Sequence, residues 1–335
     1  MPSYTSLLLI ISLLGCGLLG SDPKEPEPGR RDYIWEVDTL FSPPGGFVYD
    51  IWGSSPNDVW AVLGTGVNNL WHYDGNEWRV WPKRVAASFY SLYGLAQDDV
   101  WMGSSDGKIF HFDGEEWTLS YEFEKTGLYT SSITEIWGES VSNVYAVGTF
   151  YMAEQSIAQG FILHFDGEKW SEVLTTDFEI QPVRMRGSKK NVFIVGYNYP
   201  DMFFFQLEKN ALKKVYSTST NDEPGISLNR IGNTIYFVIG DGLLTLENKE
   251  FKEWLAISNS NFGYQIYGRN EADVFLRMND GLAHYNGEDI GYLFDLNSPL
   301  LSLSNNAMLF EKEVFFIVND FDLGTNYVYH GTLTE

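Results

Sequence analysis

Four of the five histidines, His72, His111, His164 and His284, sit in short alternating segments such as "LWHYDG", "IFHFDG" and "ILHFDG". Imidazole ligates metals and titrates near neutrality, so these are the first candidates for chemistry. Their placement argues against it. They occupy one equivalent position in successive copies of a repeat, and a zinc–imidazole bond is only about 2 Å long. Equivalent positions spread around a repeat array cannot share one ion, so these are expected to be hydrogen-bonded structural histidines. Asp50 and Glu135 are the catalytic candidates, since two carboxylates roughly 5 to 10 Å apart suit glycoside hydrolysis. Asp320 and Asp322 in "NDFDLGTN" are weak calcium candidates, because the EF-hand order of acids and glycine is missing. The chain has no Gly-x-Ser-x-Gly elbow, Walker loop, dinucleotide fingerprint or His-Glu-x-x-His, and no cofactor is expected.

The elements that position these residues come from a repeat. "IWGSSPNDVW" at 51 returns as "LYGLAQDDVW" at 92, "IWGESVSNVY" at 136, "MRGSKKNVF" at 185, "RIGNTIYF" at 230, "IYGRNEADVF" at 266 and, shortened, "EKEVFF" at 311. The second aromatic of each copy (Trp60, Trp101, Tyr145, Phe193, Tyr236, Phe275, Phe315) recurs at steps of 39 to 48 residues, giving seven units. An alternating segment follows, then Asp-Gly or Asn-Gly, which tolerates the positive φ of a tight turn. A further aromatic or aliphatic residue comes three positions later. Each unit reads as four short strands, the size of a β-propeller blade.

The chain ends complement one another. The seventh unit stops after its third strand, while "DYIWEVDTL" before the first unit resembles a fourth strand, with Trp35 in the place of Trp78, Trp117 and Trp170. The N-terminal segment is therefore expected to complete the last blade and remove two exposed edges. The predicted fold is an all-β, seven-bladed propeller of four-stranded antiparallel blades, with six or eight blades as the alternative count. The units resemble the Trp-Gly/Asp-Val-Trp propeller repeats of exported bacterial proteins. That resemblance implies the fold and an envelope or secreted setting, and it carries no catalytic residue. Nine of the 11 tryptophans fall in repeat columns, which assigns them to packing between blades rather than to sugar stacking.

Three residues before the repeat glycine stand Asp50, Ser91, Glu135, Arg184, Asn229 and Gln265, with Asn305 in the seventh unit. This column is polar in every unit and is expected to ring the central channel. Units three, four and seven carry insertions between their second and third strands: "GTFYMAEQSIAQG", "GYNYPDMF" and "NDFDLGTN". Such loops emerge on the face that carries the blade-to-blade connections, and inserted loops on a rigid scaffold are where binding concentrates. Tyr151, Glu154, Tyr197, Tyr199 and Asp201, with Arg184 from the channel, are the ligand-binding candidates. The tyrosines are expected to be exposed there.

At the N-terminus, Leu7 to Leu14 form an apolar run of signal-peptide length, and "LLGC" resembles the bacterial lipobox. Cys16, the only cysteine, is the expected lipidation site. The predicted organisation is a signal peptide over 1–15, a lipidated tether over 16–31 and a propeller over 32–335. With 22 basic against 45 acidic residues, the net charge of −23 repels phosphate backbones and excludes a nucleic-acid partner. The expectation is a lipid-anchored protein of the bacterial cell envelope, at the outer membrane, touching the membrane only through its lipid. Its propeller would bind an envelope protein or a glycan. The alternative is a propeller hydrolase or lyase using carboxylates at the channel mouth.

Overall fold

The computed structural model describes residues 27–335 except 42–45, 65–68, 84, 86, 154–156, 175–178, 189–190, 210 and 223–224. Cys16 and Glu154 lie outside the described residues. The described chain forms seven four-stranded antiparallel sheets. Blades 1 to 6 occupy 48–80, 89–122, 128–174, 181–219, 226–256 and 262–295, each running in chain order from its inner to its outer strand. Blade 7 combines 301–333 with the strand Tyr33–Leu40, which pairs along its whole length with Thr325–Leu333, from Tyr33 opposite Leu333 to Leu40 opposite Asn326. The seven-blade count and the closure by the N-terminal strand both hold.

The core lies between blades. Second strands are covered on both faces by neighbouring blades, so they read as unbroken apolar runs; all six residues of Asp58–Leu63 are buried. Between blades 1 and 2, Trp60, Val62, Phe89, Leu92, Val100, Met102 and Phe112 form one buried cluster, and each neighbouring pair of blades is joined in the same manner. Outer strands alternate, as in Ile290–Asp295, where no residue is buried.

The Trp-Gly half of the repeat is a device for fitting blades together. Gly94 of blade 2 lies under the indole of Trp52 in blade 1, and Gly187 of blade 4 under that of Trp137 in blade 3; a Cβ on either glycine would meet the ring. Trp52 stands directly opposite Trp60 across the first hairpin. The first strand runs on to Ser55, and the turn is confined to Pro56 and Asn57.

The Asp-Val-Trp half positions the histidines. His72 bonds Asp58 at 2.7 Å, His111 bonds Asp99 at 2.8 Å, His164 bonds Asn143 at 2.9 Å, His284 bonds Asp273 at 2.7 Å and His330 bonds Glu313 at 2.7 Å. Gln206 makes the same bond to Asn191 at 3.0 Å in blade 4. Each imidazole also packs on the second-strand aromatic of its blade, as in Trp60 against His72 with ring centroids 4.1 Å apart. The repeat is thus a three-part unit: the acid fixes the imidazole, the imidazole covers the ring, and the ring fills the gap between blades.

Much of each insertion lengthens the paired strands. In blade 3 the second and third strands extend over Asn143–Met152 and Gln159–Phe165; in blade 4 they meet across Tyr199 and Pro200 alone. Antiparallel pairing satisfies the backbone of the added residues, which a free loop would leave to solvent.

Candidate functional site

The molecule has two ends. One, here the hairpin face, carries the turns between second and third strands and the connections between blades. The opposite face carries the remaining turns. Between them runs the channel lined by the first strands.

The polar column faces this channel, and in six blades the strand register shifts at or beside it. A bulge places an extra residue and re-aims the side chain next to it. Blade 5 keeps regular pairing, with Asn229 opposite Tyr236. Asp50, Ser91, Glu135, Arg184 and Gln265 are all buried.

Towards the opposite face, Asp50, Glu135, Arg186, Asn229 and Arg230 line a cavity of about 250 Å³. Both catalytic candidates are therefore brought to one chamber, and each is already engaged. Glu135 is ion-paired with Arg186, which also donates to Asn229 at 3.3 Å. Asp50 accepts the backbone N–H groups of Ile51 and Leu92. Burial, then the charge of Glu135, pushes the Asp50 carboxyl up to about 8. Burial would lower Arg186, and the carboxylate of Glu135 outweighs it.

Arg184 spans the channel. Rooted in blade 4, it donates from Nη2 to the Asn305 carbonyl and to Asn306 Oδ1 in blade 7, each at 3.0 Å. On its hairpin-face side lies a second cavity, of about 280 Å³, lined by Arg184, Tyr197, Ser227, Tyr264, Gln265 and Asn305 among others. Burial, then the charge of Arg186, depresses the Arg184 guanidinium below its usual value. Tyr264 holds φ at +57°, a left-handed conformation uncommon outside glycine and asparagine, and its carbonyl accepts the Ser227 hydroxyl at 2.5 Å. Nothing in a tyrosine's sequence context signals that conformation.

The remaining candidates separate. Tyr199 is 83% exposed at its turn. Asp201 is exposed beside it, paired with Asn198. Tyr151 and Tyr197 are half-buried strand residues, which corrects the expectation of exposed loop tyrosines: once the insertion pairs as a hairpin, alternate side chains turn inward. Tyr197 thereby joins Arg184 at the cavity. Asp320 is buried and its Oδ1 accepts the backbone N–H groups of Asp322 at 2.9 Å and Leu323 at 3.0 Å, so its carboxylate caps the turn. Asp322 is exposed. Among the described residues, no group of three His, Cys, Asp or Glu side chains is placed to hold a metal ion. Arg186 and Arg277 are not among the residues that the repeat pattern singles out; an arginine two residues past the column, in "RMR", is the available sign for the first.

No family model matches this chain, and no curated protein matches it in sequence. Solved structures do. The structure described as YCF48 bound to D1 peptide superposes with a TM-score of 0.64 at 15% identity, covering 92% of this chain and 100% of that one. YCF48 from Cyanidioschyzon merolae gives 0.58 at 14% identity over 89% and 98%. The WD40 propeller domain of Doa1 gives 0.57 at 12% identity over 90% and 98%. At these identities the likeness is one of fold, and the chain is a seven-bladed β-propeller similar in architecture to those proteins.

Proposed function

We propose that this protein is a binding module that receives a protein partner on its hairpin face and performs no chemistry on it. The observation that carries this reading is the uneven distribution of exposed apolar side chains. Of 15 large exposed hydrophobic residues among those described, nine lie at the hairpin face: Phe41, Tyr49, Tyr129, Ile157, Val183, Tyr199, Leu300, Phe321 and Leu323. Val141 alone lies at the opposite face, and the other five are on outer strands. Exposed apolar side chains gathered on one face mark an interaction surface more readily than scattered ones do. That one structural neighbour is described as holding a peptide agrees with a polypeptide partner. The apolar surface favours a protein over a glycan. Binding is preferred to hydrolysis because Glu135 is neutralised by Arg186 and Asp50 is occupied by two backbone donors.

The lipobox-like "LLGC" supports a setting in the bacterial envelope, with Cys16 carrying the lipid and the outer membrane as the proposed site. A photo-crosslinking side chain placed at Tyr129, Tyr199 or Phe321, and at Val141 as control, tests the binding face in the native envelope. Adducts are expected from the first three positions. Adducts from Val141 alone would reject the reading. The anchor has a separate test: Cys16→Ser should abolish palmitate labelling, and retained label would remove the lipid from the proposal.

A further inference from the structure

Two residues that line the cavity at the hairpin face each carry a buried donor without a hydrogen-bond partner: Nη1 of Arg184 and Nε2 of Gln265. Their residues are only 7% and 3% exposed. Arg184 also has no counter-charge. Its two bonds go to neutral acceptors, and among the described residues no carboxylate lies within ion-pair distance, whereas Arg186, two positions away, takes Glu135. Arg277, beside the same channel end, is likewise held by neutral groups alone: the Leu303 carbonyl at 2.8 Å, the Gly263 carbonyl at 2.9 Å and Ser302 Oγ at 3.0 Å. A buried guanidinium normally comes with an anion, because the charge is costly to desolvate alone. In a chain with 45 acidic residues, the buried Arg184 and the half-buried Arg277, both without an anion at the same end of the channel, are an exception.

We propose that this cavity binds a carboxylate group, with Arg184 supplying the charge and one donor and Gln265 the second donor. The inference rests on the reading that the hairpin face is the binding face, and it names the group recognised there. Both unpartnered atoms are donors, so the ligand must accept. One of them is cationic, so the ligand is an anion. A planar carboxylate offers two oxygens to two N–H donors, which matches this set. A phosphate dianion asks for more donors and meets the repulsion of the −23 chain. The Nη2 bonds to blade 7 fix the guanidinium before any ligand arrives, so little side-chain entropy is lost on binding.

Titration of the full chain, followed by saturation-transfer NMR, tests this with four organic probes: propionate, propionamide, N-acetyltriglycine and its amide, with inorganic phosphate as competitor. The acids should bind saturably and the amides should not. Arg184→Gln should weaken propionate at least about tenfold, and Gln265→Leu about threefold or more, as expected for charge-assisted and neutral hydrogen bonds. Binding by both acids would point to a carboxylate carried on a chain end; binding by propionate alone would point to a small free acid. Either supports the site. Equal binding of acid and amide, equal displacement by phosphate, or unchanged affinity in folded Arg184→Gln would overturn it. Should Arg184→Gln not fold, Arg184→Lys and Gln265→Leu carry the same comparison. Crosslinks at Tyr129 and Tyr199 do not depend on Arg184, so their survival alongside failed acid binding would reject this site and leave the binding face standing.

Discussion

Asp50 of blade 1 accepts the backbone N–H of Leu92 in blade 2 at 2.8 Å while holding that of Ile51 in its own strand at 2.9 Å. Asn229 repeats the arrangement between blades 5 and 6, accepting from Arg230 at 2.9 Å and donating to the Ile266 carbonyl at 2.6 Å. The polar column therefore joins adjacent inner strands, beside a bulge at Asp50 and within a regular ladder at Asn229. Its first role is to satisfy backbone groups that would otherwise face the channel bare.

The Asp50 bond has a consequence for pH. Burial, followed by the charge of Glu135, raises its carboxyl from the ordinary 3.8 to about 8. Between those values the folded chain keeps a proton that the unfolded chain has released, so stability falls as pH rises through the interval and is fully present below it. The urea midpoint should decline from about pH 5 to about pH 8, by at most roughly 1.4 kcal/mol per pH unit from this group. Asp50→Asn should remove that part of the slope. Parallel profiles for wild type and variant would show that Asp50 does not titrate in this way.

Gly94 is fixed by the Trp52 ring rather than by backbone conformation. Gly94→Ala should destabilise the protein by about 1 to 3 kcal/mol, because the methyl group must displace an indole held in a close-packed interface. Trp52→Leu frees that space, so the double variant should lose less than the sum of the two single losses. Strict additivity in chemical denaturation would mean that the two residues do not oppose each other.

The histidine column should respond to its acids in proportion to burial. Asp273 is ion-paired with Arg269 and bonded to His284, whose side chain is fully buried. Burial alone would raise Asp273, but the bonds from His284 and Arg269 prevail and hold it below its usual range. Asp273→Ala strands both partners and should cost about 3 to 5 kcal/mol. Asp99→Ala leaves only the half-exposed His111 unpaired and should cost about 1 kcal/mol. Denaturation midpoints that rank the two variants in the reverse order would contradict this assignment.

The blades and their closure are legible in the sequence because every copy restates the same packing problem. Trp over Gly recurs at two junctions and a polar second-strand side chain bonds an imidazole in five blades, so drift in one unit is corrected by the others. The site is less legible. Arg184 was visible as the basic member of a polar column, but its bonds to Asn305 and Asn306 join residues 121 and 122 positions apart, with no local pattern to announce them. Spacing alone makes Tyr197 a loop residue, because it counts inserted residues without saying whether they pair. Once they pair, alternation decides which side chains face the channel.

Closure gives the last prediction. Trp35 stands opposite Gly331 and meets Phe294 edge-on at 5.0 Å, so one side chain ties the N-terminal strand to blade 7 and to the neighbouring blade 6. Trp35→Ala should cost about 3 kcal/mol in a denaturant titration, as for other large-to-small changes of aromatic residues in a core. Removing 27–40 goes further. It strips the partner from Thr325–Leu333 and leaves a nine-residue edge with unpaired N–H and C=O groups, which is a template for another chain. The truncated protein should self-associate in light scattering, and a synthetic peptide of residues 33–40 should reverse this by reoccupying the edge. A truncated chain that stays monomeric with an unchanged melting temperature would mean that the ring is held by its other six interfaces alone.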